Sequence, residues 1–353
     1  KVFESEEVLL MSERVSFQND YNTGCHPRIL EALSKTNAER TTGYGLDRYS
    51  EEARTLIKEA CCAPDADVHF LVGGTQVNLT VTAGVLRPWQ GVIAAETGHI
   101  NVHEAGAIEA TGHKVLVVES RDGLLSAEAI DRFCRMFYDD PTAEHMVQPG
   151  MIYLSQTTEL GTVYRLNDLQ EIRKVADQWG LALYVDGARL ASALAIEETG
   201  IDLPVLAELC DVFSIGGTKC GALFGEAVVI TKDSLKQDFR SLMKQRGGLL
   251  AKGRLLGIQY RELFRDGLYK EIGRHENNMA AALASRFMAC GFEFFAPPVS
   301  NQLFVLMDER EESLFEERAV FERIGVLEDG RRICRFVTSF STEMAEIDTL
   351  FPH

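Results

Sequence analysis

No stretch of this 353-residue chain approaches the roughly 20 consecutive apolar residues that a bilayer-spanning helix needs. Its first ten residues, KVFESEEVLL, carry acids where a signal peptide places an apolar core. Cytoplasm is therefore the expected location, although Lys1 is not an initiating methionine and leaves room for a segment upstream. Positive charge is scarce, with 36 Lys and Arg against 53 Asp and Glu and a net charge of −17. Such a balance repels a phosphate backbone and an anionic lipid surface, so neither nucleic acid nor membrane is an expected partner. The eight cysteines (Cys25, Cys61, Cys62, Cys134, Cys210, Cys220, Cys290 and Cys334) form no C-x-x-C pair and sit scattered in apolar segments. That pattern reads as reduced core thiols, not as a disulfide framework. Neither G-x-G-x-x-G nor G-x-x-x-x-G-K-[ST] occurs, which argues against a dinucleotide or a nucleoside triphosphate. Internal repeats, low-complexity tracts and Pro/Gly linkers are missing as well.

What remains is 46% hydrophobic and 25% charged, enough to bury a large core. Residues 1–15 read as a charged lead-in and 16–24, SFQNDYNTG, as an irregular segment able to reach into a site. Helical spacing recurs over 26–35 and 49–62, with the glycine-rich loop RTTGYGLDRYS and its Tyr44 between them. Short apolar runs at 67–72, 92–95, 114–119, 151–155, 181–186 and 211–215 then alternate with helical patterns at 75–86, 99–107, 126–137 and 169–179. This βα alternation predicts an α/β protein with a mostly parallel sheet covered by helices on both faces. Beyond about residue 250 the texture becomes α+β. A long helical stretch over 249–290 has a break at Asp266-Gly267, strands follow at 292–295 and 303–307, then a helix at 314–324 and a strand at 333–338. The expected organisation is an N-terminal segment (1–20), a large domain (21–250) and a small C-terminal domain (251–353).

Ligands of open parallel sheets sit beyond the carboxyl ends of the strands. LALYVD ends at Asp186 and DVFSI runs into Gly216-Gly217-Thr218-Lys219, so a carboxylate and an amine share one mouth. That pair suits pyridoxal 5'-phosphate (PLP): a desolvated lysine forms a Schiff base, and the aspartate keeps the pyridine nitrogen protonated so that the ring acts as an electron sink. The blander reading makes Asp186 a helix cap and Lys219 a surface lysine. Gly73-Gly74-Thr75 follows DVHFLV and opens a helix, a place for one phosphate. His99 begins the segment after VIAAE; it either stacks on the ring or packs in a helix. His99 and His103 are spaced for a shared metal, but no third ligand recurs, so no metal is expected. Arg189 falls in the Asp186 turn, where it would hold Asp186 or the cofactor's phenolic oxygen. Arg335 interrupts an apolar strand and needs an anion, either a substrate carboxylate or one of the chain's own acids.

Taken in order, FQNDYNTG, GYGLD, GGTQVNL, GHINVHEAGA, YVDGARL, the TK of GGTK, and RFVTSF resemble the L-threonine and L-allo-threonine aldolases, of the β-eliminating lyase group of fold-type-I PLP enzymes. The resemblance implies that Lys219 is the Schiff-base lysine, Asp186 the pyridine partner and His99 the stacking histidine. Gly73, Gly74 and Thr75 match the phosphate turn, and Arg189 an arginine beside the cofactor. Arg335 and Asn19 match positions that hold the substrate carboxylate, and Tyr44 a tyrosine near the substrate. The implied reaction is cleavage of a β-hydroxy-α-amino acid to glycine and an aldehyde. Many low-specificity members carry a second histidine where this chain has Thr158, which leaves the hydroxyl's base to His99 or to a water held near Glu159. β-Elimination or transamination is the alternative chemistry, and a silent PLP-fold binding protein the third reading. The resemblance also implies a homodimer or homotetramer, with Lys244, Arg246 and Lys252 reaching a neighbour's phosphate.

Overall fold

The computed structural model describes residues 14–351; the lead-in expected over residues 1–15 lies, up to residue 13, outside them. After the short strand β1 (Val15–Ser16), seven strands build the main sheet: β2 (Asp67–Leu71), β3 (Gln90–Ala95), β4 (Val115–Val118), β5 (Gln148–Ser155), β6 (Ala182–Asp186), β7 (Val212–Gly216) and β8 (Glu226–Ile230). Their order is β2-β8-β7-β6-β5-β3-β4, parallel from β7 to β4, with β8 antiparallel to both its neighbours.

The six strand runs read from sequence lie in this sheet. Successive residues alternate between its two buried faces. Met151, Tyr153, Ala182 and Tyr184 pack with the helix Gly74–Val85 and with Phe239 and Met243 on one side. Ile152, Leu154, Leu183 and Val185 face the opposite core, which the helices Arg48–Ala60, Ala127–Tyr138, Leu166–Trp179 and Arg254–Phe264 cover. Both faces are thus dry, and that is why the strands read as unbroken apolar runs.

β8 has no counterpart among the sequence expectations. EAVVI follows Gly225 so closely that it reads as the tail of the lysine loop, yet it returns antiparallel between β2 and β7 with Glu226 opposite Gly216. The helix expected over 99–107 stops at Val102, because Ala105 (φ 50°) and Gly106 (φ 74°) turn left-handed. The long helical stretch does break where anticipated, at Asp266 (φ 59°) and Gly267 (φ 77°), into Arg254–Phe264 and Leu268–Ala289.

A second sheet follows, of β9 (Glu293–Phe294), β10 (Gln302–Met307), β12 (Glu322–Val326) and β13 (Arg332–Val337), all antiparallel in the order β12-β13-β10-β9. β11 (Ala319–Val320) instead pairs with β1. The helix expected at 314–324 is wrong: a helix spans Glu309–Glu316, and β11 and β12 occupy the rest. A reciprocal cap sets the early start, the Glu311 N–H reaching Asp308 Oδ1 and the Asp308 N–H reaching Glu311 Oε2, each at 2.8 Å. β12 is an edge strand with Ile324 and Val326 exposed, so it lacks the one-sided burial that marks a strand in sequence.

The helix Leu268–Ala289 joins the two cores. Its start, Leu268, Tyr269 and Ile272, packs under the main sheet; its end, Leu283, Ala284 and Phe287, meets Phe336 and Phe17 beside the second. At Gly273 the backbone passes so close to the helix Leu190–Leu194 that a β-carbon would stand 1.9 Å from the Ala191 carbonyl oxygen. Gly273→Ala gains about 1 kcal/mol of helix propensity at most, whereas a clash against backbone costs about 1–3 kcal/mol or more. The variant is expected to unfold at lower urea concentration than the parent; a midpoint unchanged or raised would contradict this packing.

Candidate active site

A cavity of about 380 Å³ opens beyond the carboxyl ends of β2, β5, β6 and β7. Gly73, Gly74, Thr75, His99, Asp186, Arg189 and Lys219 all line it, together with Asn78, Glu159 and Glu226. Two glycines bring the ends of β6 and β7 together. The Gly216 N–H bonds the Gly187 carbonyl at 2.8 Å, and a β-carbon at Gly187 or Gly216 would lie 2.1 Å from Ser214 O or 2.2 Å from Ala188 O.

Asp186 is only 5% exposed. A charge so buried must be matched by donors. Its Oδ2 accepts from the Tyr153 hydroxyl at 2.7 Å and from Asn78 Nδ2 at 3.0 Å, while Oδ1 accepts the Ala188 N–H at 3.0 Å and the Ser214 hydroxyl at 3.4 Å. Tyr184 fixes the Asn78 amide in turn, its hydroxyl 2.6 Å from Oδ1. The Asp186 carboxylate therefore has one orientation. Asn78 also donates to Glu104 Oε1 at 2.7 Å, and the same oxygen lies 2.8 Å from His99 Nδ1. His99 is held at both ends, because its backbone N–H bonds Glu159 Oε1 at 2.8 Å.

Lys219 is half-buried and forms no ion pair among the described residues. Its amine is held below the ordinary lysine value, first by burial and next by the charge of Arg189, against Asp20, Asp186 and Glu226. Facing it, Glu226 accepts the Gly217 N–H at 3.2 Å, and burial pushes its carboxyl up to about 8. An amine lowered and unpaired is a nucleophile in waiting.

Gly73 caps the helix Gly74–Val85 with no side-chain bond, and no acid sits in the first turn. A β-carbon at Gly73 or Gly74 would meet nothing within 4 Å, so the turn stands open to the cavity with its free amides. Of the two partners expected for Arg189, Asp186 is not one: the guanidinium lines the cavity and makes a two-pronged pair with Asp20, Nε to Oδ2 at 2.7 Å and Nη2 to Oδ1 at 3.1 Å. Burial works to raise the Asp20 carboxyl, but Arg189 and Lys219 outweigh it and hold the carboxyl below 3.8.

Three anticipated residues do not line the cavity. Asn19 Oδ1 accepts the Tyr21 N–H at 3.0 Å, and it is Tyr21 that reaches the mouth. Arg335 pairs with Glu322, its cross-strand neighbour on β12, although Arg335 Nε is buried without a partner and the residue feels the charges of Arg189, Asp20 and Tyr21. Tyr44 is exposed in a left-handed turn, under Lys244 Nζ at 4.8 Å from its ring centroid. Arg246 lies nearer the glycine turn, where its carbonyl accepts from Gln76 Nε2 at 3.0 Å. Lys252 is exposed.

The sequence pattern of the beta-eliminating lyase family matches residues 17–310. The chain belongs to that family. A threonine aldolase of Leishmania major is 44% identical, with 95% of this chain and 97% of that one superposed at a TM-score of 0.92. Low specificity L-threonine aldolases of Pseudomonas sp. NCIMB 10558 and Pseudomonas aeruginosa are 31% and 28% identical, across 83% and 95% of this chain and 84% and 95% of theirs. The architecture is the fold type I of PLP enzymes, and the chain is a PLP-dependent lyase by family.

Asp20, Asn78, Glu104, Tyr153 and Glu226 were not among the sequence candidates. VNL and HEAG, inside the quoted motifs, carry Asn78 and Glu104; a polar residue within an otherwise apolar helix is the signal that would have found the former. Asp20 next to Asn19 had no local signal at all, since its partner lies 169 residues away. The Arg189–Asp20 pair yields a test. Asp20→Asn leaves a buried guanidinium unneutralised and is expected to cost about 3–5 kcal/mol, measured by urea unfolding at pH 7. Because the folded carboxyl titrates below its unfolded value of 3.8, the native pair's contribution is present above that pH and lost as pH falls through the folded value. A variant as stable as the parent at pH 7 would contradict the pair's role.

Proposed function

We propose that the chain binds pyridoxal 5'-phosphate in this cavity and cleaves a β-hydroxy-α-amino acid, L-threonine or L-allo-threonine, to glycine and acetaldehyde. The observation that carries this reading is the meeting of an unpaired amine, a fixed carboxylate and an open helix start in one space. The threonine aldolase names of its relatives supply the substrate class.

The residues present suit the group. Gly73, Gly74 and Thr75 would take its phosphate on free amides and a hydroxyl. Lys219 would hold its carbonyl carbon, and Asp186, locked by Tyr153 and Asn78, would keep a proton on its ring nitrogen. His99 would lie against the ring face, its orientation set by Glu104. When bound, the cofactor supplies an electron sink conjugated with the substrate's α-carbon. Arg189, braced by Asp20, flanks the same space. Arg335 and Asn19, which stand outside the cavity wall in this structure, would have to turn toward it to hold the substrate carboxylate, and so set the Cα–Cβ bond toward the perpendicular of the ring, the orientation in which its electrons are most easily released.

We also read the chain as a large cofactor-holding unit with a smaller C-terminal one, assembled as a homodimer or homotetramer in the cytoplasm. The Tyr44–Lys244 patch, exposed and outside the wall of its own cavity, fits a role in a neighbour's site. Eight free cysteines suit a reducing compartment.

Absorbance spectroscopy of purified protein with added PLP, followed by an aldehyde assay on L-allo-threonine and L-threonine, tests the reading. A visible cofactor band lost in Lys219→Ala, with aldehyde and glycine formed only by the parent, is expected; a keto acid in place of aldehyde would redirect the chemistry to transamination or β-elimination. The Arg335–Glu322 contact adds a second expectation. A partly exposed pair is worth about 0.2–1 kcal/mol, so Glu322→Gln, by freeing Arg335, lowers the amino acid's KM by a factor of about 1.4 to 5 with kcat unchanged. A KM that stays put or rises would leave Arg335 a structural residue only.

A further inference from the structure

The proposed cleavage needs a group that takes the proton from the substrate's β-hydroxyl, and Thr158 is not available. Its Oγ1 is buried, lies 2.6 Å from Thr162 Oγ1, and accepts the N–H groups of Thr162 and Leu160 at 3.2 and 3.3 Å. The next residue along lines the same cavity as Thr158 but is differently bonded. Glu159 lines the cavity, and its two hydrogen bonds, from the Ser155 hydroxyl at 2.6 Å and the His99 N–H at 2.8 Å, both fall on Oε1. Oε2 receives no hydrogen bond from another residue. The neighbouring Thr157 hydroxyl, also on the cavity wall, is buried without a partner.

We propose that Glu159 is the general base for the β-hydroxyl, with Oε1 anchored to the protein and Oε2 accepting the proton. The inference rests on the function proposed above. In the step, Glu159 Oε2 takes the hydroxyl proton, the O–H electron pair becomes the second C–O bond of the departing aldehyde, and the Cα–Cβ pair remains with the glycine carbon, where the cofactor would supply the electron sink. The α-carbon later takes up one proton, and Glu159 returns its own to solvent, so no further reactant is required.

The surroundings match the task. Burial raises the Glu159 carboxyl above the ordinary glutamate value, against the hydrogen bonds that lower it, and Asp186 adds to the rise. A carboxylate raised toward neutrality is the better base. The groups that face it are Ser155 and Tyr153 from β5, Asp186 from β6, His99 from the helix His99–Val102, and Tyr164 beyond β5. His99 is the rival, yet its Nδ1 is bound to Glu104 and its ring is assigned to the cofactor face.

Glu159→Gln separates the roles, since glutamine retains an oxygen for Ser155 and His99 but cannot accept the proton. In the PLP-loaded variant, cofactor affinity by absorbance titration and melting temperature should match the parent. Glycine has no β-hydroxyl, so exchange of its α-hydrogen with solvent should persist within about three-fold, while kcat for aldehyde formation falls roughly 10²- to 10⁴-fold. The parent's acid limb of kcat, displaced upward from the ordinary glutamate range by the burial of the carboxyl, should vanish. Glu159→Asp, with a base on a shorter arm, should keep that limb at intermediate rate, and it serves where the glutamine variant folds poorly. Cleavage within ten-fold of the parent with the acid limb intact would hand the role to His99 or to water; loss of glycine exchange together with cleavage would make Glu159 a positioning residue. A parent that exchanges the glycine hydrogen but forms no aldehyde from either threonine would sink the proposed function itself.

Discussion

The site depends on one buried carboxylate. Asp186 ends the central strand of the main sheet, where an uncompensated charge would cost several kcal/mol. Its donors come from β5 (Tyr153), β7 (Ser214), the following turn (Ala188) and the helix Gly74–Val85 (Asn78). Each charge-assisted bond contributes about 1.5–3 kcal/mol. No local segment supplies this set, so the carboxylate is stable only when strand order, register and helix docking are all correct.

The same donors tie the two walls of the cavity together. Asn78 bridges Asp186 to Glu104 and through it to His99; Tyr153 and Ser155 lead from Asp186 to Glu159, which returns to the His99 backbone. The loop of bonds closes around the space a ligand would fill. A rigid rim of this kind favours one placement of a planar guest, because rotating any member breaks bonds on both sides.

Sequence reached the part of this that is local. A parallel strand buried on both faces is an apolar run, and where such a run ends in a polar residue the residue stands at the ligand edge; Asp186, Lys219 and Gly73-Gly74-Thr75 were legible for that reason. Residues whose meaning lies in a distant partner were not. Asp20 is an ordinary acid until Arg189 meets it, and Glu226 sits on a return strand that its own loop disguised. The misread helix after residue 314 has the same origin: β12 has one hydrogen-bonded neighbour and largely exposed side chains, so its identity comes from pairing with β13 and not from its pattern.

Arg189 and Arg335 illustrate how pairing decides availability. Arg189 commits Nε and Nη2 to an Asp20 side chain that is fully buried, and releasing it would strand a charge. Arg335 meets Glu322 through Nη2 alone, the glutamate is half exposed, and Arg335 Nε has no partner. Solvent replaces Glu322 cheaply, whereas nothing but another anion satisfies the fork of Arg335. Of two cations within electrostatic reach of each other, Arg335 is therefore the loosely held one and Arg189 the one fixed in place.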